Sequence, residues 1–211
     1  MKPVQNTSIL QADSLHFSYP DKALFSNFSA SIPARISLIR GGDGCGKSTL
    51  LKLLAAVLPL QSGQLHINGI SLQKQPENYT AQVFLADPRT DSFEQFTVPD
   101  YFELQRSNHA GFNDSVLAKI TDGLGLEEHL HKQLFMLSAG SKRKVFLAAA
   151  LASGAQVTLF DDPFAALDAA SIRFVLGWLG AAASASDRAW VIASHVAPDG
   201  LPLAQIIDLG D

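Results

Sequence analysis

Cys45 is the only cysteine in this 211-residue chain, so an internal disulfide is excluded and a reducing compartment fits. Long apolar runs are missing as well. Nothing approaches the roughly 18 residues that a membrane-spanning helix needs. "VFLAAALA" (145–152) comes nearest, and a buried helix accounts for it. "MKPVQNTSIL" (1–10) has neither the apolar core nor the cleavage site of a secretory leader. Positive charge is scarce: 16 Lys and Arg stand against 20 Asp and Glu, a net charge of −4. A nucleic-acid partner would call for a basic footprint, so none is expected. Repeats of roughly 20 to 50 residues and long heptad segments are also lacking, which removes solenoids and coiled coils. These absences leave a soluble, intracellular chain.

What is present is 47% apolar, enough for a single compact domain over 1–211. Residues 1–35 alternate loosely, as in "LHFSY" and "FSNFSASI", with turn residues at "YPDK" and "IPA", and predict short antiparallel strands. "ISLI" (36–39) predicts a buried strand. "LLKLLAAVL" (50–58) has helical apolar spacing and should stop at Pro59. "SGQLHINGISL" (62–72) predicts a hairpin turning at Asn68-Gly69. "AQVFLAD" (81–87) predicts a strand ending at an acid. Residues 88–136 are polar and dotted with aromatics, "DSVLAKITDGLGL" (114–126) being their clearest helix, and open a helical insert over 88–150. "VTLF" (157–160), "WVIA" (190–193) and "QIIDL" (205–209) suit a parallel sheet covered on both faces. The small residues of "GAAASASD" (180–187) end a helix or fill a loop, and the chain stops soon after its last strand, so no C-terminal regulatory domain is expected.

"GGDGCGKS" (41–48) fits G-x-x-x-x-G-K-[ST], with a predicted strand before it and a helix after. Gly41, Gly42, Gly44 and Gly46 let backbone N–H groups turn inward around phosphate oxygens where a Cβ would clash. Asp43, Cys45 and Thr49 lie in the same segment, and the helix that follows adds its positive end. Lys47 supplies charge toward the β- and γ-phosphates, and the Ser48 hydroxyl is a Mg2+ ligand. A glycine-rich turn capping a helix is the plainer alternative, and the flanking elements argue against it. Cys45 has no base partner in the sequence, so it reads as a small residue that fits rather than a nucleophile.

"LFDDPFAALD" (159–168) sets Asp161 and Asp162 at the end of an apolar run. Adjacent carboxylates repel unless a cation is near. In a P-loop protein this strand end holds the second Mg2+ anchor, which assigns Asp161 to Mg2+, with ATP as the nucleotide, and Asp162 to the attacking water. Without a P-loop upstream, two acids capping a loop would be the better account.

"LSAGSKRKV" (137–145) precedes these acids, and the order of motifs resembles the ATP-binding cassette (ABC) family from about Ser14 to Leu209: P-loop, helical insert, LSGGQ-like signature, strand ending in acid-acid-Pro, D-loop and switch histidine. The resemblance implies an α/β, P-loop NTPase core with a mostly parallel sheet, an N-terminal antiparallel β layer and an inserted helical subdomain that includes the signature. It implies that Tyr19 stacks on adenine, and a strand aromatic packed in the β layer is the alternative. Ser138 and Gly140 would contact the γ-phosphate of ATP held by a second ABC subunit, in a homo- or heterodimer. Asp168 would mark the D-loop, and His195, in "VIASH", the switch histidine. The partner would be a separate transmembrane permease subunit, placing the chain peripherally on the cytoplasmic face of the membrane. His16, His66, His109, His129 and His131 match no motif. His129 and His131, two apart in a helical region, fall on different faces and do not suit one metal. The three cations of "SKRK" (141–144) open a helix, where the dipole disfavours them; a solvated face or closeness to the partner's ATP would explain them.

Four positions depart from the family pattern. Asp162 stands where Glu is usual, its carboxylate drawn back by ~1.5 Å, one carbon–carbon bond. Asp87 takes the Q-loop glutamine's place and can still offer Mg2+ an oxygen, whereas Gln82 and Gln95 sit at the wrong points along the strand. The signature reads LSAGS, and Asp43 replaces the commoner Asn. The expectation is a working but slow ATPase that drives a transporter. The alternative is a nucleotide-binding regulatory subunit of a heterodimer with little turnover. A soluble cassette acting on DNA or translation lacks its usual coiled-coil arms, tandem cassettes or basic surface.

Overall fold

The protein is described by a computed structural model covering residues 8–184 and 187–210. In chain order its elements are β1 (Ser8–Tyr19), β2 (Lys22–Pro33), β3 (Arg35–Arg40), α1 (Lys47–Leu54), β4 (Ser62–Ile67), β5 (Ile70–Ser71), α2 (Pro76–Thr80), β6 (Val83–Ala86), α3 (Val98–Asn108), α4 (Asp114–Gly123), α5 (Ala139–Ala152), β7 (Val157–Asp161), α6 (Ala169–Ser184), β8 (Ala189–Ser194) and β9 (Leu203–Asp208). They build two sheets. One is antiparallel with order β2-β1-β4-β5, the other parallel with order β6-β7-β8-β3-β9.

The expected short N-terminal strands are longer than predicted. β1 and β2 run 12 residues each and turn at Pro20-Asp21. Their ladder shifts register near Ser14 (φ 50°) and Asn27 (φ 63°), left-handed residues that bend the ribbon as bulges do. The hairpin at Asn68-Gly69 is as predicted. Both residues have positive φ, 50° and 80°, which a two-residue type I′ turn requires.

The parallel sheet is buried on both faces, and its side chains sort by alternation. Ile36, Leu38, Phe84, Phe160, Trp190 and Ile192 pack against α3, α5 and α6. Ile39, Val157, Leu159, Val191 and Ala193 face α1 and the antiparallel sheet. Residues 145–152 of α5 are buried all round, the fate expected for the longest apolar run.

Three predicted boundaries move. The helix after the glycine-rich segment ends at Leu54 rather than reaching Pro59. Left-handed Ala56 (φ 57°) ends it, and the N–H groups of Val57 and Leu58 fold back to the Lys52 carbonyl, satisfying an end that would otherwise be orphaned. Residues 88–97 form turns instead of helix, and α3 begins only where Thr97 and Asp100 close a capping box. The stretch from 124 to 138 carries two short 3-10 turns, Glu127–His129 and Leu134–Met136. Of "GAAASASD", residues through Ser184 are helical, and 185–186 lie outside the described residues.

Two close approaches lock the helical layer together. The Phe174 ring of α6 packs on Gly123, where an added Cβ would come within 2.1 Å of it. Gly154, with φ +69°, meets the Gly111 carbonyl, which an added Cβ would approach to 2.1 Å. Beside this contact the buried His109 imidazole lies against Phe84, with ring centroids 5.1 Å apart. Burial pulls its pKa below the ordinary value, with a backbone bond at Ala81 opposing and Arg188 adding to the fall.

Gly154→Ala should cost about 2 kcal/mol or more, because it combines a left-handed backbone with a main-chain clash; urea unfolding reads this directly. The His109 shift implies a stability that is complete above the unfolded histidine pKa of about 6.5 and falls as pH drops through that value, since the unfolded chain then binds the proton better. Urea midpoints at pH 7.5 and 5.5 should lie further apart in the wild-type chain than in His109→Gln.

Candidate functional site

The parallel sheet sends the C-terminal ends of β3, β7 and β8 to one edge, and the site forms there. After β3 the chain turns through Gly44 (φ 72°) and Gly46 (φ 105°) directly into α1, whose first residue is Lys47. A side chain at Gly41 would sit 2.6 Å from the Cys45 Sγ and 2.7 Å from the Gly210 carbonyl oxygen, so the turn needs glycine at that point. Cys45 therefore packs within the loop, as the small-residue reading expects. The Lys47 ammonium donates to the carbonyls of Gly41 (2.8 Å) and Gly42 (2.6 Å), closing the loop over itself. From β2, the Lys22 ammonium donates to the Gly44 carbonyl at 2.9 Å.

Tyr19 ends β1 at the rim of this loop. It is 44% exposed, edge-on to Phe17 with centroids 5.0 Å apart, and its hydroxyl is 3.3 Å from the Thr49 Oγ1. It is thus a wall of the cleft rather than a core aromatic of the β layer.

The opposite wall is acidic. Asp161 closes β7 with its side chain only 5% exposed. Asp162 takes the left-handed conformation (φ 50°) that Asp tolerates better than most residues, and its N–H donates to the Ala193 carbonyl of β8 at 2.9 Å. One strand over, His195 follows β8 and places its Nε2 3.1 Å from an Asp43 carboxylate oxygen. The departure at Asp43 therefore gives the histidine a partner in the glycine-rich loop.

Arg89 is the unforeseen member. Its guanidinium donates to the Ser48 Oγ at 2.9 Å and forms an ion pair with Asp161, so the hydroxyl and the carboxylate converge on one positive group. Burial alone would lower its pKa, but Asp161, Asp87 and Asp162 outweigh that and hold it above its ordinary value. Sequence offers a signal for it: Arg89 is the sole basic residue between Lys74 and Arg106.

Tyr19, Gly44, Gly46, Lys47, Ser48, Thr49, Asp43, Asp161, Asp162 and His195 all line a single cleft of about 420 Å³, together with Lys22 and Arg89. Asp87, expected as a metal ligand, is not among the lining residues, and neither are Ser138 and Gly140, whose expected contact is with a second subunit's nucleotide. Asp87 does not face Ser48 and Asp161: its buried carboxylate takes Lys52 of α1 at 3.0 Å and the Arg89 N–H at 3.1 Å. Ser138 and Gly140 lie outside the cleft altogether, at the start of α5.

There, Ser138 caps α5 by accepting the Ser141 N–H at 3.1 Å, and Ser141 reaches the His129 Nε2 at 3.1 Å. A side chain on Gly140 would lie 2.5 Å from the Ala166 carbonyl oxygen, so the helix start and the Asp168 loop touch through glycine. The cations of "SKRK" are not a solvated face. Lys142 pairs with Glu94, Arg143 donates to the Ala165 carbonyl at 2.5 Å, and Lys144 lies 2.9 Å from Asp168. Lys144 first, then the N–H and hydroxyl of Ser171, hold the Asp168 carboxyl well below the usual carboxylate range. Burial lowers the Arg143 guanidinium, with Asp162 opposing. Among the described residues no group of three or more His, Cys, Asp or Glu could hold a metal ion.

A glycine-built loop, a lysine over it, a hydroxyl and acid sharing a cation, and an exposed tyrosine at the rim form a cradle for a nucleoside phosphate. Residues 26–165 match the family model described as ABC transporter. The chain is 32% identical over 173 residues to the cytochrome c biogenesis ATP-binding export protein CcmA of Wolbachia pipientis, the match covering 80% of this chain and 81% of the relative. It is 29% identical over 170 residues to the iron(3+)-hydroxamate import ATP-binding protein FhuC of Bacillus subtilis, covering 76% of this chain and 63% of that one, so FhuC extends well beyond the shared part. The solved structure of an ABC transporter ATP-binding protein from Pyrococcus furiosus superposes with a TM-score of 0.74 at 24% identity, covering 95% of this chain and 96% of that one. That likeness is one of overall fold. With motif order, cleft and family match in agreement, this chain belongs to the ABC transporter family.

Proposed function

We propose that the chain binds Mg-ATP in this cleft and hydrolyses it slowly, as one of two ATP-binding subunits that drive a separate transmembrane permease from the cytoplasmic face of the membrane. The observation that carries the reading is the convergence of Lys47, Ser48, Asp161, Asp162 and His195 on one cleft rimmed by Tyr19. Backbone N–H groups of the glycine-rich loop and the α1 N-terminus would receive the phosphates, Lys47 would exchange its loop carbonyls for phosphate oxygens, and Tyr19 would stack on adenine. Ser48 and Asp161 fit a divalent cation, since both already bind one positive group, Arg89. When held there, Mg2+ would offset charge on the β- and γ-phosphates. Asp87, turned to Lys52, would act on that cation only through a change in its own ion pair.

Asp162 would take the proton of the attacking water or orient it. Its left-handed backbone and its bond to Ala193 fix where the carboxylate can reach. Being one methylene short of glutamate, it would meet the water at greater distance, which is the reason to expect slow turnover. His195 would leave Asp43 to contact the γ-phosphate end. Ser138 and Gly140, lying outside the cleft, would complete the site of a second subunit, and this is the support for a dimer closed around nucleotide.

Relatives act in both import and export, as the names of FhuC and CcmA state, and the transported substrate would be chosen by the permease. Among the described residues, no helix is long and apolar enough to cross a membrane, in keeping with a membrane subunit that is a different chain.

Steady-state ATP turnover tests the assignment. Asp162→Asn should lower kcat by about 100-fold or more, the usual share of a general base, and Asp162→Glu should raise it above wild type. Turnover by Asp162→Asn at the wild-type rate would remove Asp162 from the chemistry.

A further inference from the structure

Arg89 stands where the reading of the cleft as a Mg-ATP site puts a divalent cation. Its guanidinium touches both members of that donor set, the Ser48 hydroxyl at 2.9 Å and the Asp161 carboxylate. The burial of the two partners is unequal. Asp161 has a side chain 5% exposed, whereas that of Arg89 is 59% exposed. A carboxylate so enclosed is costly to leave without a positive partner. The arginine, by contrast, can return to water at little cost, because most of it is already there.

The surroundings reinforce this. Asp87 and Asp162 also attract Arg89 without bonding to its guanidinium, so three acids bear on one position. Asp87 has its own cation in Lys52, and Asp162 is held by its backbone to β8. Asp161 has only Arg89 for an ion-pair partner among the described residues. The Arg89 loop is tied down through its backbone: the Asp87 carboxylate accepts the Arg89 N–H at 3.1 Å, the Asp87 carbonyl accepts the Thr90 N–H at 3.2 Å, and the Thr90 carbonyl accepts from the Lys142 ammonium at 3.3 Å. These bonds fix the backbone, while the guanidinium is held only by Ser48 and Asp161.

We propose that Arg89 is a built-in stand-in for the divalent cation: it holds Ser48 and Asp161 in place, and Mg2+ arriving with nucleotide must displace it. The inference rests on the Mg-ATP reading above. Two consequences follow from the same geometry. Mg2+ competes with a guanidinium and so binds more weakly than the donor set alone would allow. Nucleotide without metal still finds a positive group beside Asp161, so metal-free binding is weakened less than in a site that lacks such a group.

The test uses the full chain with AMP-PNP as nucleotide and MgCl2 as titrant, followed by calorimetry. In Arg89→Ala, the Mg2+ concentration at half-saturation should fall about tenfold, the worth of one charge-assisted bond after exposure is discounted. Arg89→Lys, which keeps the charge but not the two-pronged geometry, should fall between the two. With EDTA in place of MgCl2, AMP-PNP should bind Arg89→Ala more weakly than wild type. Superimposable Mg2+ titrations for wild type and both variants, all of them binding AMP-PNP, would overturn this inference alone. Absence of AMP-PNP binding by the wild-type chain with or without Mg2+ would overturn the reading of the cleft and this inference with it.

Discussion

All strands of the central sheet run in one direction, and the whole site depends on that constraint. Parallel strands share an edge at which every C-terminus emerges, so β3, β7 and β8 deliver the glycine-rich loop, the acid pair and His195 side by side although they are far apart in the chain. The order β7-β8-β3 matters as well. It sets the acid-bearing strand two positions away from the strand that leads into the glycine-rich loop, with β8 between them supplying the Ala193 carbonyl that anchors Asp162. Burial of both faces of the sheet fixes the register, since a one-residue slip would turn Phe160 and Trp190 toward α1 and send Leu159 and Val191 to the helical side.

Charge is the second organiser. Three aspartates, Asp87, Asp161 and Asp162, gather at one strand edge of a chain that is already net negative. Each is managed differently. Asp87 is neutralised by Lys52 from α1, Asp161 by Arg89 from the turns between β6 and α3, and Asp162 lies within reach of the fields of Arg89 and Arg143. Arg143 belongs to the basic run at the start of α5, where the helix dipole alone would disfavour cations. The acids opposite them explain that placement: Glu94 comes from the 88–97 turns, and the Asp162 neighbourhood and Asp168 come from the loop before α6, so both segments are bound to α5. Ion pairs that could be mistaken for surface decoration therefore tie the helical layer to the cleft.

Departures from the family pattern read differently once their neighbours are known. Asp43 is a counterpart for His195, and Asp87 is a counterpart for Lys52, so each departure places a carboxylate where a partner side chain stands to meet it. Among the described residues Asp162 has no such partner in contact range, in line with the proposal that its shortening acts on chemistry rather than on folding.

Local chemistry made much of this legible from sequence. The type I′ turn at Asn68-Gly69, the all-round burial of 145–152, the β3–loop–α1 cradle and the acids ending β7 follow from turn preference, apolar runs and glycine spacing, which act over a few residues. The boundaries missed depended on neighbours instead. α1 stops at Leu54 because Ala56 goes left-handed, and residues 88–97 stay non-helical because Lys142 and the Lys132–Leu134 segment take their polar groups. The sequence alone determined which residue types could cradle phosphate and which acids could face a cation. Tertiary structure alone decided that Arg89 would meet Ser48 and Asp161 and that Asp87 would turn to Lys52 instead. Ion pairs act through space, and their strength rests on burial and on a separation of a few ångströms that no spacing along the chain encodes.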